Sequence, residues 1–207
     1  MNSGRRDQPA LTVTVFWTLA AALLLAGCID LAPQPDPTRV FVLKAPAMGG
    51  GLPEDGGWEV GIRRIDLPDY LLNPKMVVRR EGFEIVHSEF NRWGENLDKA
   101  IGRVLGDPLR KWSFIDIVST VPWSSKIAHD FEISIQIDRF EGIGRSAAQL
   151  DARWSITRGD SDDVLQVGYT SAKRDWNGSD YLALASALSD ALATLAADIA
   201  GGLSAAE

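Results

Sequence analysis

The sequence predicts a single α/β domain in which a mixed, mostly antiparallel β-sheet is covered by two main amphipathic helices. Several short segments alternate apolar and polar residues, which is the pattern of a β-strand with one buried face. Two longer segments repeat apolar residues every three or four positions, which is the pattern of a helix with one buried face. A chain of 207 residues is long enough to bury one core between them.

The first half of the domain is predicted to contain four strands. They cover residues 39–43, 58–65, 76–80 and 83–87, and a Gly/Pro-rich loop over residues 45–57 separates the first two. The last two strands form a hairpin, with Glu81-Gly82 at its turn.

After this hairpin the spacing of apolar residues changes from that of a strand to that of a helix. A helical stripe begins at Trp93, and Gly106 and Pro108 are expected to end the helix. The stripe consists of Trp93, Leu97, Ala100, Ile101, Val104 and Leu105. A buried strand over residues 114–118 follows. A helix between two strands predicts a right-handed crossover there.

The second half shows the most regular alternation, with Phe131, Ile133, Ile135 and Ile137 on one face. Further strands at residues 150–156 and 164–169, with turns at residues 142–144 and 159–160, predict an antiparallel meander. A final helix is capped by Ser179-Asp180 and ends at Gly201-Gly202.

The N-terminus has the layout of a secretory signal. Arg5 and Arg6 precede an apolar segment over residues 10–26, and small residues then lead to Cys28. The alternative, a retained transmembrane helix, needs about 20 apolar residues, and this segment is shorter and contains three threonines. We therefore assign residues 1–27 to the signal, 28–38 to a proline-rich tether that begins at the cysteine, and 39–203 to the folded domain.

The charge of the chain limits its partners. The formal net charge is −7, and removal of residues 1–27, which carry a net charge of +1, changes it to −8. A chain this acidic has no broad basic surface for nucleic acid. Because Cys28 is the only cysteine, neither a disulfide within the chain nor a cysteine-ligated metal site is expected.

No catalytic, metal or cofactor site is predicted. His87 and His129 are the only two histidines, and neither belongs to a metal-binding or catalytic motif. A nucleophile elbow, a P-loop and a dinucleotide fingerprint are all missing from the sequence. The acidic run over residues 160–163 is interpreted as a solvated turn, because no glutamate closes a calcium-coordinating loop.

The Leu25-Ala26-Gly27-Cys28 sequence and three segments of the domain carry a resemblance to a known family. The segments cover residues 61–71, 73–79 and 90–97, and they contain Leu67-Pro68-Asp69-Tyr70-Leu71, Met76-Val77-Val78-Arg79 and Arg92-Trp93-Gly94-Glu95-Asn96-Leu97. The N-terminal sequence looks like a bacterial lipobox, and the whole chain resembles the PqiC/YmbA lipoproteins. In those proteins an arginine and a glutamine stand where this chain has Asn73 and Lys75, and an alanine and a proline where it has Gly94 and Asn96.

The resemblance implies an outer-membrane lipoprotein on the periplasmic face, acylated at Cys28, with Ile29 at the following position in place of the aspartate of inner-membrane lipoproteins. It further implies a non-catalytic auxiliary component of an ABC-type/MCE intermembrane lipid transport system, with a trans-periplasmic MCE-domain protein as its partner. A homo-oligomer is left open. The alternatives are a ligand-binding or accessory lipoprotein of an ABC importer, a periplasmic enzyme and an envelope scaffolding protein.

Two groups of candidate site residues follow. The loop from Leu67 to Pro74 is the candidate docking loop, because its prolines restrict the backbone and at most two of its three consecutive apolar side chains can easily face one core. Its candidate contact residues are Pro68, Tyr70, Leu71, Leu72, Asn73 and Pro74. The alternative is that the loop folds over the sheet edge and buries Tyr70, Leu71 and Leu72. Arg79, Arg92, Trp93 and Leu97 are predicted to be structural, with a partner contact of Arg92 and Trp93 as the competing interpretation.

Overall fold

The computed structural model describes residues 35–45, 57–123, 128–161 and 163–206. The residues from Pro37 onward form one compact unit. The elements of this part of the chain are β1 (Arg39–Phe41), β2 (Trp58–Ile62), β3 (Lys75–Arg80), β4 (Glu84–Trp93), α1 (Leu97–Leu109), β5 (Ile115–Thr120), β6 (Phe131–Ile143), β7 (Ala147–Arg158), β8 (Val164–Asp175) and α2 (Tyr181–Ala205). The predicted α/β class, a mixed sheet with two main helices, is confirmed. The signal segment, Cys28 and most of the tether and of the Gly/Pro-rich loop lie outside the described residues.

Strand β6 connects the whole sheet, because both of its edges are paired. Along one edge β2 pairs in parallel with its first residues and β3 with its last, and Asp66 bridges to Gln136 between them. Along the other edge β7 pairs antiparallel over the length of β6. Strands β4 and β1 extend the sheet beyond β3, β5 extends it beyond β2, and β8 extends it beyond β7. The sheet is therefore mixed, with its longest pairings antiparallel.

The predicted alternation in β6 is confirmed, because every apolar side chain from Phe131 to Ile137 in that pattern is buried. A β-bulge between Ile137 and Arg139 then shifts the pairing with β7. The extra residue of the bulge lets Phe140 also point into the core, where it is 1% exposed. The predicted meander of β6, β7 and β8 is confirmed.

The hairpin of β3 and β4 is also confirmed. Its turn contains Glu81 with a φ of 46° and Gly82 with a φ of 80°, so both residues adopt left-handed conformations. Strand β4 extends beyond the predicted end at His87 and reaches Trp93. Its last three residues pair in parallel with β1, a partner distant in sequence that the local pattern does not reveal.

The prediction that the first helix begins at Trp93 was wrong. Trp93 is the last residue of β4, its backbone N–H donates to the carbonyl oxygen of Pro74 at 2.7 Å, and α1 begins at Leu97. This hydrogen bond holds the tryptophan in the sheet, while its side chain is buried in the same core as the helix. Pro108 lies inside the last turn of α1 and does not end the helix where predicted.

The predicted right-handed crossover from β4 to β5 was also wrong. Three strands separate β4 from β5 in the sheet, and β4 is antiparallel to β3 whereas β3, β6, β2 and β5 are parallel to one another. The handedness rule concerns parallel strands and does not apply here. Strand β5 lies at an edge, so Ile115 is buried but Ile117 is 42% exposed, in contrast to the predicted buried strand.

Helix α2 packs a long apolar face onto the core. Its predicted cap is confirmed, because the Asp180 side chain accepts a hydrogen bond from the Leu182 backbone N–H at 2.9 Å. By length and composition α2 would be able to cross a membrane. In this fold, however, its apolar face lies in the core. The buried leucines and isoleucine of that face are Leu184, Leu188, Leu192, Leu195, Ile199 and Leu203.

The glycine pair near the end of α2 does not stop the helix, which continues to Ala205. A Cβ atom on Gly202 would lie 2.6 Å from the ring of Trp154 on β7. Gly202 therefore allows the helix to approach the sheet closely, and its role is packing where the sequence predicted a helix end.

We expect the substitution Trp93→Ala to lower the free energy of unfolding by about 3–5 kcal/mol, because a large buried ring is removed. Trp93 is 6% exposed, and its ring centroid lies 6.1 Å from that of Phe140. Phe90→Ala is the matched control, since Phe90 lies on the same strand and is 43% exposed; its effect should stay within about 0.5 kcal/mol. Denaturant unfolding measures both, and an unchanged midpoint for Trp93→Ala would reject the core assignment.

Candidate partner-docking surface

The candidate docking loop, Leu67 to Pro74, leaves the sheet from the middle of the β6 edge. The Asp66 N–H donates to the Ile135 carbonyl oxygen at 3.0 Å, and the Asp66 carbonyl oxygen accepts from the Ile137 N–H at 2.9 Å. The loop therefore starts at the point on β6 where β2 has ended and β3 has not yet begun.

Within the loop, a 3₁₀ turn at Asp69–Leu71 separates the three consecutive apolar side chains. Pro68 has φ −65° and ψ 149° just before the turn, and the Leu71 N–H donates to its carbonyl oxygen at 2.9 Å. Leu71 is 2% exposed and belongs to the core, Tyr70 is half-buried, and Leu72 is 61% exposed. The alternative in which the loop buries all three side chains is therefore not what the structure shows.

The end of the loop is fixed at its backbone and exposed at its side chains. Asn73 and Pro74 are both exposed. The Asn73 Oδ1 atom accepts a hydrogen bond from the Lys75 N–H at 3.0 Å, and the Pro74 carbonyl oxygen accepts the Trp93 N–H described above. Leu72, Asn73 and Pro74 thus form an exposed segment on a backbone that is held at both ends.

Tyr70 connects the loop to strands β6 and β4 through hydrogen bonds. Its hydroxyl donates to the Asp138 carbonyl oxygen at 3.3 Å, at the bulge of β6. Its own carbonyl oxygen lies 3.0 Å from Nε2 of His87 on β4, so the imidazole donates through Nε2. His87 therefore has a hydrogen-bond partner in the loop.

A buried ion pair lies next to Tyr70. The Nε atom of Arg79 on β3 is 2.5 Å from Oε1 of Glu141 on β6, and Glu141 is fully buried. The Arg79 guanidinium carbon lies 5.8 Å from the centroid of the Tyr70 ring. Oε2 of Glu141 has no hydrogen-bond partner among the residues that the structure describes. The guanidinium of Arg79 is therefore the main group that compensates the buried negative charge of Glu141.

The electrostatics of this cluster keep Tyr70 and Arg79 in fixed charge states. Burial, and then the charge of Glu141, raise the pKa of Tyr70 well above its usual value. The hydrogen bond to Glu141 raises the pKa of Arg79 further above the normal range. Tyr70 is therefore a neutral donor and Arg79 a permanent cation, which suits a structural cluster under the loop.

A groove runs beside the exposed segment. A cavity of about 230 Å³ is lined by Leu72 together with Arg64 and Asp98, the latter in the first turn of α1. It is adjacent to a wider groove of about 870 Å³ between the ends of β2 and β5 and helix α1, and both share Arg64 and Asp98. The groove combines apolar side chains such as Val121, which is 41% exposed, with charges of both signs. A mixture of apolar and charged side chains is also found at protein–protein interfaces.

The other predicted site residues lie in different places. Trp93 and Leu97 are buried, Arg92 is exposed on β4, and Arg79 lies below the docking loop. Cys28 lies outside the described residues. Sequence analysis missed Glu141 and the groove; a glutamate between Phe140 and Gly142 in an apolar strand was the only available signal for the buried pair.

Within the described part of the chain, no group of three or more histidine, cysteine, aspartate or glutamate residues is placed to hold a metal ion. The fold and this surface together define an α/β domain in which an exposed loop lies beside a groove.

A comparison with protein families assigns the chain. The model of the ABC-type transport auxiliary lipoprotein component matches residues 41–200, so the chain belongs to this family, and the predicted resemblance to the PqiC/YmbA-type lipoproteins is confirmed. No curated protein matches the chain.

Two solved structures share the fold. Protein XCC0632 from Xanthomonas campestris superposes with a TM-score of 0.68 at 14% identity, covering 79% of this chain and 93% of the other. A second, uncharacterized protein superposes with a TM-score of 0.58 at 17% identity, covering 80% of this chain and 99% of the other. At these identities the similarity concerns the fold alone.

We expect removal of Arg79 to cost more stability than removal of Glu141. Arg79→Met leaves a fully buried carboxylate unpaired, which costs about 3–5 kcal/mol. Glu141→Gln leaves the guanidinium, whose side chain is 21% exposed and can reach water, so the loss is clearly smaller. The free energies of unfolding of the two variants measure this order.

The double variant Arg79→Met/Glu141→Leu is the control, because it removes both charges and should recover most of the stability lost in Arg79→Met. If Arg79→Met unfolds at the wild-type denaturant concentration, the ion pair does not support the loop.

Proposed function

We propose that this chain is a lipid-anchored periplasmic protein of the bacterial outer membrane. It acts as a non-catalytic auxiliary subunit of an MCE-type intermembrane lipid transport system. The observation that carries the proposal is the family match over residues 41–200, which describes an auxiliary lipoprotein of a transport system.

The anchor is assigned to Cys28. The Leu-Ala-Gly sequence before it is typical of cleavage by signal peptidase II, and Ile29 at the next position favours transfer to the outer membrane. Each buried CH₂ group contributes about 0.8 kcal/mol, so several acyl chains on one cysteine hold the protein stably where a single chain would not.

The partner is assigned to the candidate docking loop and the groove beside it. Leu72 is the most exposed apolar side chain of the loop, and Arg64 and Asp98 line the cavity next to it. An exposed apolar side chain surrounded by charged groups is the arrangement in which a contact residue is shielded from water by a polar rim. We propose that an MCE-domain protein covers this surface.

The second candidate function is direct ligand binding in an accessory lipoprotein of an ABC importer. The wider groove favours it, since its volume of about 870 Å³ lies within the usual range for small-molecule sites. Purification from detergent-solubilised envelopes separates the two functions, because only the first predicts that an MCE-domain protein copurifies.

The variant Cys28→Ala should accumulate as an uncleaved precursor that incorporates no labelled palmitate, because the thiol that accepts the lipid is absent. Pulse labelling and membrane fractionation measure this result. If the mature, unacylated domain still fractionates with the outer membrane, the lipid is not the main anchor.

The variant Leu72→Asp should abolish copurification of the MCE-domain protein without changing the thermal unfolding midpoint, because Leu72 is exposed and its contacts would come from the partner. Val164→Asp is the matched control, since Val164 is 60% exposed on β8 and should retain the partner. Leu71→Asp, which places a charge in the core, should lower the midpoint.

Normal partner capture by a folded Leu72→Asp variant would exclude the loop as the interface. The outward face of β6 would then be the next surface to test.

A further inference from the structure

An aromatic side chain projects from the tip of the β3–β4 hairpin. Phe83 follows the turn residues Glu81 and Gly82 and is 94% exposed, the highest exposure among the large apolar side chains that the structure describes. The left-handed conformations of Glu81 and Gly82 fix the turn, so the ring is held away from the domain. A fixed, exposed phenylalanine buries no area in the fold and gains free energy only by entering another apolar phase.

The hairpin tip belongs to one end surface of the domain. A groove of about 420 Å³ is lined by Arg80 of the hairpin, Arg145 of the β6–β7 turn and Tyr181 at the start of α2. We call the set of Phe83, Arg80 and Arg145 the tip surface. It places one exposed aromatic side chain and two exposed arginines at the same end of the sheet.

The start of β1 faces the tip surface. Strand β1 is parallel to β4, and its first residue, Arg39, pairs with Asn91, so the N-terminal end of β1 is directed toward the end of β4 that carries the hairpin. Seven residue steps along β4 connect Glu84 to Asn91, which is about 23 Å of strand at about 3.3 Å per residue.

The tether is long enough to reach past the tip. Eleven residue steps connect Cys28 to Arg39, and an extended chain of that length spans at most about 40 Å. An acylated Cys28 can therefore lie beyond the level of Phe83 with the tip surface at the bilayer. Because the extended tether is not much longer than the distance it has to span, it keeps the domain close to the membrane.

We propose that the tip surface is a second membrane contact, in which Phe83 inserts into the interface of the phospholipid bilayer beside the acyl chains of Cys28. The inference rests on the proposed anchoring at Cys28. The occupant is the lipid of the bilayer, with Arg80 and Arg145 positioned to meet headgroup phosphates.

A weak contact is sufficient because the anchor makes insertion intramolecular. Burial of one phenylalanine contributes about 1.5–3 kcal/mol, too little to hold a free protein on a membrane. A tether raises the effective concentration of the bilayer, so the same contact can fix the orientation of an anchored domain. Glu81 partly offsets the charge of the arginines, so the contact does not require anionic lipid.

This orientation separates the membrane contact from the candidate docking loop. The loop leads into β3 at Lys75, and β3 ends at Arg80 beside the hairpin turn. The two surfaces therefore lie at opposite ends of β3. With the tip surface on the bilayer, the end of the loop at Pro74 lies at the far end of β3 from it.

The test uses the absence of other thiols. Because Cys28 is the only cysteine and is acylated in the proposed mature protein, Phe83→Cys introduces a single free thiol. The acylated, full mature chain is labelled there with a polarity-sensitive fluorophore and reconstituted into vesicles of phosphatidylethanolamine and phosphatidylglycerol. Val164→Cys is the control, since Val164 is 60% exposed at the opposite end of the sheet.

We expect the label at position 83 to shift its emission to shorter wavelength on reconstitution and to be quenched by lipid-borne quenchers, while the label at position 164 shows neither change. The same result is expected with phosphatidylcholine alone. Equal changes at both positions, or no change at position 83 in protein that floats with the vesicles, would overturn the inference.

Flotation distinguishes this failure from failure of the proposed anchor. Protein that does not float with the vesicles lacks the anchor, which rejects the proposed function and the second contact with it.

Discussion

The double pairing of β6 is the constraint on which the rest of the structure depends. One edge of this strand is fully occupied by β7, and the other is divided between β2 and β3 with Asp66 between them. Because β2 and β3 lie in line along the same edge, the chain that connects them must leave the sheet and return to it. The candidate docking loop is that connection, so its position follows from the hydrogen-bonding capacity of one strand.

Local patterns predicted the parts of the fold that local interactions determine. The alternation in β6, the turn at Glu81-Gly82 and the Asp180 cap were all found from neighbouring residues, and all are present. The start of the first helix was predicted wrongly, because Trp93 lies in phase with the apolar face of α1 although its backbone belongs to β4. The competing partners, Pro74 and β1, are distant in sequence.

The candidate site also combines features set by neighbouring residues with features set by residues that are distant in sequence. Three consecutive apolar residues left open whether the loop buries all of its apolar side chains or exposes one, and in the structure Leu72 is exposed. The groove beside it is formed by β2, α1 and β5, and no single segment carries its pattern. The buried pair of Arg79 and Glu141 joins residues 62 positions apart, so its existence depends on the topology that the crossover rule failed to anticipate.

The burial of Glu141 has a consequence for how the chain reaches this arrangement. Strand β3 meets β6 through only two residue pairs, Val78 with Gly142 and Arg79 with Ile143, which is little backbone pairing to define an alignment. A slip of one residue turns every β3 side chain to the opposite face. Arg79 would then leave Glu141 without its countercharge, and an uncompensated interior carboxylate is strongly unfavourable. The ion pair therefore selects against misaligned assembly, which a purely apolar contact at this position would tolerate.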